Sequence, residues 1–181
     1  MQRIHLGMTL VMMLLFPAMS VLQPLFAAPD VDGTPADNKA AILLFAQEAY
    51  NRGNASVVNT LYDVNYEGQL PSSNPTGVRN REELYGLISE YQQAFSNFNA
   101  TVDLLVAEND WVSSRITLRG VFNRGDYYGI PPTGEPVEIA LHTFHRFNAQ
   151  GRIIEEYVEW DNLAFSIQLG LLELEDAEAA G

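Results

Sequence analysis

Hydrophobic positions recur along the chain with two different periods, and the switch between them separates a helical part from a strand part. Asp37 is a good helix N-cap; the apolar run Ala40–Ala46 follows it, and the helix is expected to end near Gly53. A second, short helix is expected over Ser56–Leu61. Glu67–Val78, with Gly68, Pro71, Pro75 and Gly77, reads as a loop. The clearest helix starts at Asn80. Glu83 stands three residues on, as a capping box requires, and Leu84, Leu87, Ile88, Tyr91 and Phe95 form one apolar stripe.

After Asn97 the period falls to two. Thr101–Glu108 and Trp111–Phe122 flank Asn109-Asp110, a hairpin signal, and Tyr127–Glu135 is a Gly- and Pro-containing loop. Val137–Phe147 and Arg152–Trp160 form a second hairpin around Asn148–Gly151, and a last helix covers about Leu163–Leu171. Helices first and hairpin-linked strands afterwards predict an α+β domain on a curved, mostly antiparallel sheet.

The N-terminus carries a different pattern. Arg3 precedes the apolar run Leu6–Phe16, and small residues follow at Ala18-Met19-Ser20 and Ala27-Ala28. A basic start, a short apolar stretch and a small-residue exit make residues 1–28 an expected signal peptide. Pro17 and Pro24 interrupt the run before the roughly 20 residues a spanning helix needs, so no stable membrane anchor is expected after cleavage. The expected organisation is a linker over 29–36, a domain over 37–171 and an acidic tail over 172–181, with the product secreted or periplasmic.

Composition narrows the chemistry. The 181 residues include 10 Lys and Arg against 23 Asp and Glu, a net charge of −13, and no cysteine. The acidity argues against nucleic-acid binding. The missing cysteine excludes disulfides, thiolate metal sites and a cysteine nucleophile. HExxH, GxGxxG, GxSxG and phosphate-loop motifs are absent, so neither a metal nor a cofactor is expected.

Alternation sorts the second hairpin into two faces. Val137, Ile139, Leu141, Thr143, His145 and Phe147 share one, and Ile154, Glu156, Val158 and Trp160 share one on the return strand. A four-residue turn would pair Phe147 with Arg152, setting Thr143 opposite Glu156 and His145 opposite Ile154. His145 and Glu156 then become diagonal neighbours roughly 7–8 Å apart on an apolar surface. Such a pair suits proton transfer, with desolvation expected to raise the carboxyl toward neutrality. Equally, the two could form a structural hydrogen-bonded pair. His142 falls on the other side with Glu138 and Arg146. Tyr50, Tyr62, Tyr66, Trp111, Trp160 and the pair Tyr127-Tyr128 are core or pocket-lining candidates.

Four strings in order, WVSSRITLRG from Trp111, GIPPTGEPV from Gly129, His145–Phe147 with Gly151-Arg152-Ile153, and EEYVEWDNLAFSIQLG from Glu155, resemble the SnoaL-like polyketide cyclase family of the nuclear transport factor 2-like superfamily. The resemblance spans about Asp37–Gly170. It implies a cone in which helices pack on a curved sheet around a deep apolar pocket, cofactor-free acid–base chemistry, and often a dimer. It also implies a departure. The family's acid–base aspartate falls on Val158 and its partner histidine on Thr143, and neither can transfer a proton in that role. Glu156 lies on the same face, and Asp161 matches a second acidic position. A one-residue gap would bring Glu159 to the catalytic position but turn it outward.

Two functional expectations follow. In one, the chain is an exported lyase, isomerase or cyclase for a small apolar carbonyl compound. Glu156 and His145 are then its acid–base pair, Asp161 a further catalytic candidate, and Tyr50, Tyr62, Trp111, Thr143, Val158 and Trp160 the ligand contacts. In the other, the same pocket binds without turnover. A dimerising adaptor using the sheet face of Phe144 and Arg146 is a third, less supported reading.

Overall fold

The computed structural model describes residues 33–71 and 77–172, so the expected signal peptide, half of the linker and nearly all of the acidic tail lie outside the described residues. Helix α1 spans Pro35–Phe45 and starts earlier than expected. Thr34, not Asp37, is the N-cap. Its hydroxyl accepts from the Asp37 N–H, and the Asp37 carboxylate accepts from the Thr34 N–H. Pro35 fits the first helical position because its missing N–H would have no helical partner there. The helix continues as a π-helical turn, Ala46–Asn51. That wider turn keeps Phe45, Ala46, Ala49 and Tyr50 all against the core.

Helix α2 (Val57–Leu61) leads into strand β1 (Tyr62–Gln69), and strand β2 (Val78–Asn80) precedes helix α3 (Arg81–Ala94). The expected loop over Glu67–Val78 is therefore part strand. β1 lacks a regular alternation, and its ladders define it: parallel to β6 and antiparallel to β2. The Asn80–Glu83 capping box on α3 forms as expected.

Strands β3 (Phe95–Glu108), β4 (Trp111–Phe122), β5 (Pro136–Phe147) and β6 (Ile153–Trp160) complete the sheet, followed by helix α4 (Asn162–Gln168). β3 begins at Phe95, earlier than the change of period suggests, and passes an irregularity at Asn97, whose φ is 52°. The strand order is β2-β1-β6-β5-β4-β3, with β1–β6 the parallel pair. Helices α1 to α3 cover one face around Ile42, Val58, Leu84 and Ile88. α4 closes one end with Phe165 and Leu169 against Phe95, Phe122 and Val137.

Two side-chain amides take the place of strand neighbours. Asn51 pairs with both backbone groups of Ala100 on the free edge of β3, its Oδ1 accepting at 2.6 Å and its Nδ2 donating at 3.2 Å. Gln168 does the same for Glu138 on β5, past the end of β6, at 2.6 and 3.0 Å. Each satisfies strand groups that would otherwise form an open edge.

The second hairpin departs from the simple register. Arg146 faces Glu155, but Phe147 faces Ile153, so Ile154 is an extra residue on β6. This bulge brings Ile153, rather than Ile154, into the core. It also sets His145 directly opposite Glu156 and Thr143 opposite Val158, in place of the diagonal arrangement.

Candidate functional site

Glu156 sits on the helix-covered face of β6 at 5% exposure, in an interior otherwise lined by aliphatic and aromatic side chains. An isolated carboxylate there would be costly. Three groups from three strands answer that cost. Tyr66 of β1 donates its hydroxyl to Oε2, and Arg79 of β2 donates Nη2 to the same oxygen at 3.0 Å. From β5, His145 places Nε2 3.3 Å from Oε1, an ion-pair distance without the alignment of a full hydrogen bond. Behind the ring, Thr143 Oγ1 lies 3.3 Å from His145 Nδ1, and Ser114 of β4 lies 2.5 Å from Thr143 Oγ1. His145, Thr143 and Ser114 are all buried.

Local sequence explains how these groups meet. Ser114 pairs with Thr143 across β4 and β5, and His145 with Glu156 across β5 and β6. Gly68 of β1 faces Glu156, and a Cβ at that position would collide with the Tyr66 hydroxyl. The glycine thus leaves room for the phenol to reach the carboxylate. Arg79 arrives from the sheet's edge strand and reaches inward.

The electrostatics differ from the sequence expectation. Burial does push the Glu156 carboxyl upward. The Arg79 guanidinium, the His145 contacts and the Tyr66 hydroxyl outweigh it and hold the group at about 2. Burial alone would likewise disfavour the Arg79 charge, and Glu156 outweighs it, so the pair is ionised. Burial raises Tyr66, Tyr62 and Tyr50, with the negative charge of Glu156 adding to it, so all three are neutral phenols. Desolvation therefore does not bring Glu156 toward neutrality, because the sheet supplies a cation where a carboxyl alone would protonate.

The other sequence candidates divide clearly. Tyr62 is fully buried beside Tyr66, ring centroids 4.8 Å apart, and Tyr50 packs edge-on against Phe45. Val158 is buried next to Thr143. Trp160 is half-buried and touches both parts of the core. Trp111 lies on the opposite sheet face, against Tyr157 and beneath the Arg146 guanidinium. Asp161 is exposed and caps α4, its carboxylate accepting from the Ala164 N–H at 2.8 Å. Glu159 and His142 are exposed partners on the outer face, as the alternation of β6 expects. Arg79 and Ser114 were not singled out from the sequence. Ser114 was legible in the alternation of β4, but nothing local marks Arg79, which follows a Gly- and Pro-containing stretch.

Tyr62 Oη and Arg79 Nε are buried donors without a hydrogen-bond partner among the described residues. Two surface clefts lie elsewhere. One, about 320 Å³, is bordered by His142, Glu159, Trp160, Asp161 and Gln168, and the other, about 330 Å³, by Asn59, Arg81, Glu82 and Tyr85.

A scan against family models matches SnoaL-like polyketide cyclase over residues 40–169. The chain belongs to the SnoaL-like polyketide cyclase family. Among similar solved structures, TsrD from Streptomyces laurentii is 26% identical with a TM-score of 0.66, covering 77% of this chain and 99% of that one. IdmH from Streptomyces antibioticus, a putative polyketide cyclase, is 28% identical with a TM-score of 0.62, covering 76% and 99%. AclR from Streptomyces galilaeus, a putative hydroxylase, is 23% identical with a TM-score of 0.68 over 81% and 93%, and speaks to the fold alone. No curated protein sequence matches the chain. The fold is the family's cone, of the nuclear transport factor 2-like kind, with four α-helices on a six-stranded sheet among the described residues. At the two positions where the resemblance puts the acid–base pair, this member has the buried residues Val158 and Thr143.

Proposed function

We propose that this family member is a cofactor-free acid–base catalyst, a cyclase, isomerase or lyase for a small, largely apolar carbonyl compound. In this reading His145 carries the proton and Glu156 is its fixed counter-charge. The observation that carries the assignment is the Glu156 carboxylate, held ionised by Arg79 at 3.0 Å while it lies 3.3 Å from the His145 ring. A carboxylate held at about 2 is a weak base near neutrality, whereas an imidazole oriented by an adjacent carboxylate is suited to proton transfer. Tyr62 Oη and Arg79 Nε are among the buried donors without a partner in the described residues, and they would meet a substrate oxygen and stabilise an enolate. Tyr50 and Val158 would line the apolar part of the site, with Trp160 at its margin. Asp161 and Trp111 would act at most from outside it.

The alternative is a binding protein without turnover, favoured by one observation. Val158 and Thr143 face the interior where the family's proton-transferring pair is expected. Exchange of α-hydrogens for deuterium separates the readings, measured by NMR on a panel of small β-keto esters. Acid–base help is worth about 10²–10⁴ in rate, so exchange at least about 100-fold above buffer is expected, and His145→Gln should abolish it. A bound β-keto ester with exchange at the buffer rate would establish the binding reading instead.

Assembly and address belong to the same proposal. Exposed Phe144, Tyr157 and Val106 with half-buried Trp111 give the uncovered sheet face an aromatic patch suited to a second copy of the chain. Light scattering of wild type against Phe144→Glu would detect that homodimer. Export to the periplasm or medium rests on the pattern around Arg3 and Leu6–Phe16.

A further inference from the structure

Each nitrogen of the His145 ring faces one polar group. Nε2 faces Glu156 Oε1 at 3.3 Å, and Nδ1 faces Thr143 Oγ1 at 3.3 Å. The groups around the ring come from every strand packed near it: Glu156 on β6, Arg79 on β2, Tyr66 on β1, and Ser114 with Val112 on β4. Glu156 is paired with Arg79 and is therefore ionised, so its oxygens only accept. The proton of a neutral His145 then belongs on Nε2, where it faces that carboxylate, and the lone pair is left on Nδ1. Thr143 must donate to Nδ1, which turns its oxygen toward Ser114, and Ser114 must donate to Thr143. The 2.5 Å separation of the two hydroxyls fits such a directed bond. Ser114 has no other side-chain hydrogen bond among the described residues, so its oxygen, donating to Thr143, accepts none there.

We propose that Ser114 and Thr143 form a directed proton path to His145, and that proton exchange with the substrate takes place at the Ser114 hydroxyl rather than at the ring. This rests on the reading of His145 as the proton-carrying group. The transfer balances. A proton arriving on Ser114 Oγ displaces the serine's own proton to Thr143 Oγ1, and the threonine proton moves to Nδ1. The substrate's C–H bond and two O–H bonds break, two O–H bonds and one N–H bond form, and the electron pair of the C–H bond stays on the substrate as its enolate. The product is an imidazolium held between Glu156 and Thr143, with both hydroxyl bonds reversed. Thr143 thus stands where the resemblance puts a histidine and acts as a positioning and relay residue through the next histidine along the strand.

The tautomer of His145 tests this without knowledge of the substrate. Long-range ¹H–¹⁵N correlation on ¹⁵N-histidine-labelled full-length chain, recorded above the titration of the ring and assigned with His145→Gln, distinguishes the two nitrogens. The expected result is an Nε2–H tautomer. Thr143→Val should move the Nδ1 resonance toward that of a free lone pair, Thr143→Ser should restore it, and Ser114→Ala should move it the same way by less. An Nδ1–H tautomer in the wild type, or an Nδ1 resonance indifferent to Thr143→Val, overturns the path. If Thr143→Val does not fold, an Nδ1 resonance unmoved by Ser114→Ala overturns it equally. Such a result combined with deuterium exchange that still depends on His145 would refute the path and leave the proposed function standing. Loss of both refutes both.

Discussion

The Arg79–Glu156 pair can be measured by replacing each partner and then both. At 3.0 Å and an effective dielectric constant near 20, two unit charges attract by about 5 kcal/mol. Both side chains are largely removed from water, so the desolvation cost is of similar size and the net value of the intact pair is small. Removing one partner is different, because the other charge stays buried and uncompensated. Arg79→Met and Glu156→Leu should therefore each cost about 3–5 kcal/mol. The double variant removes both charges and leaves mainly the Tyr66 hydroxyl unpaired, worth about 1–3 kcal/mol. It should be no less stable than either single variant, with a coupling energy of at least about 2 kcal/mol. Urea unfolding followed by far-UV circular dichroism gives all four corners of the cycle. Single costs below about 1 kcal/mol, or a double variant that is simply the sum of the singles, would refute the picture of a closed buried ion pair.

Two further perturbations address the same geometry. Glu156 titrates at about 2 in the fold against an ordinary 4.5, a gap worth about 3 kcal/mol. That contribution is fully present above the unfolded value and disappears as pH falls through about 2, so urea midpoints from pH 6 to 2 should fall less steeply in the Arg79→Met/Glu156→Leu double variant than in wild type. Asn51→Ala should cost about 2–4 kcal/mol, because it strands two backbone groups of buried Ala100, whereas the same change at the more exposed Gln168–Glu138 clamp should cost about 1 kcal/mol in thermal or urea unfolding.

Features that depend on neighbours close along the chain are legible in the residues alone. The Asn80–Glu83 cap, the stripe of α3 and the alternation of β4, β5 and β6 are local patterns, and they suffice for the α+β class and for turning Glu156, His145, Thr143 and Val158 inward. Even the helix start was within reach, since Thr34-Pro35 with Asp37 is a capping box shifted by one turn. Features that depend on distant pairings emerge only once the chain is folded. β1 is a strand because β2 and β6 bind it, not because its side chains alternate. The bulge at Ile154 turned a diagonal pair into a direct one, and no residue type announces that extra position. Above all, Arg79 meets Glu156 across 77 positions of sequence. Reading β6 alone suggests a desolvated carboxyl drifting toward neutrality. The cation from the sheet's far edge reverses that sign, because the charge of a buried group is set by what the fold places beside it rather than by what precedes it in the chain.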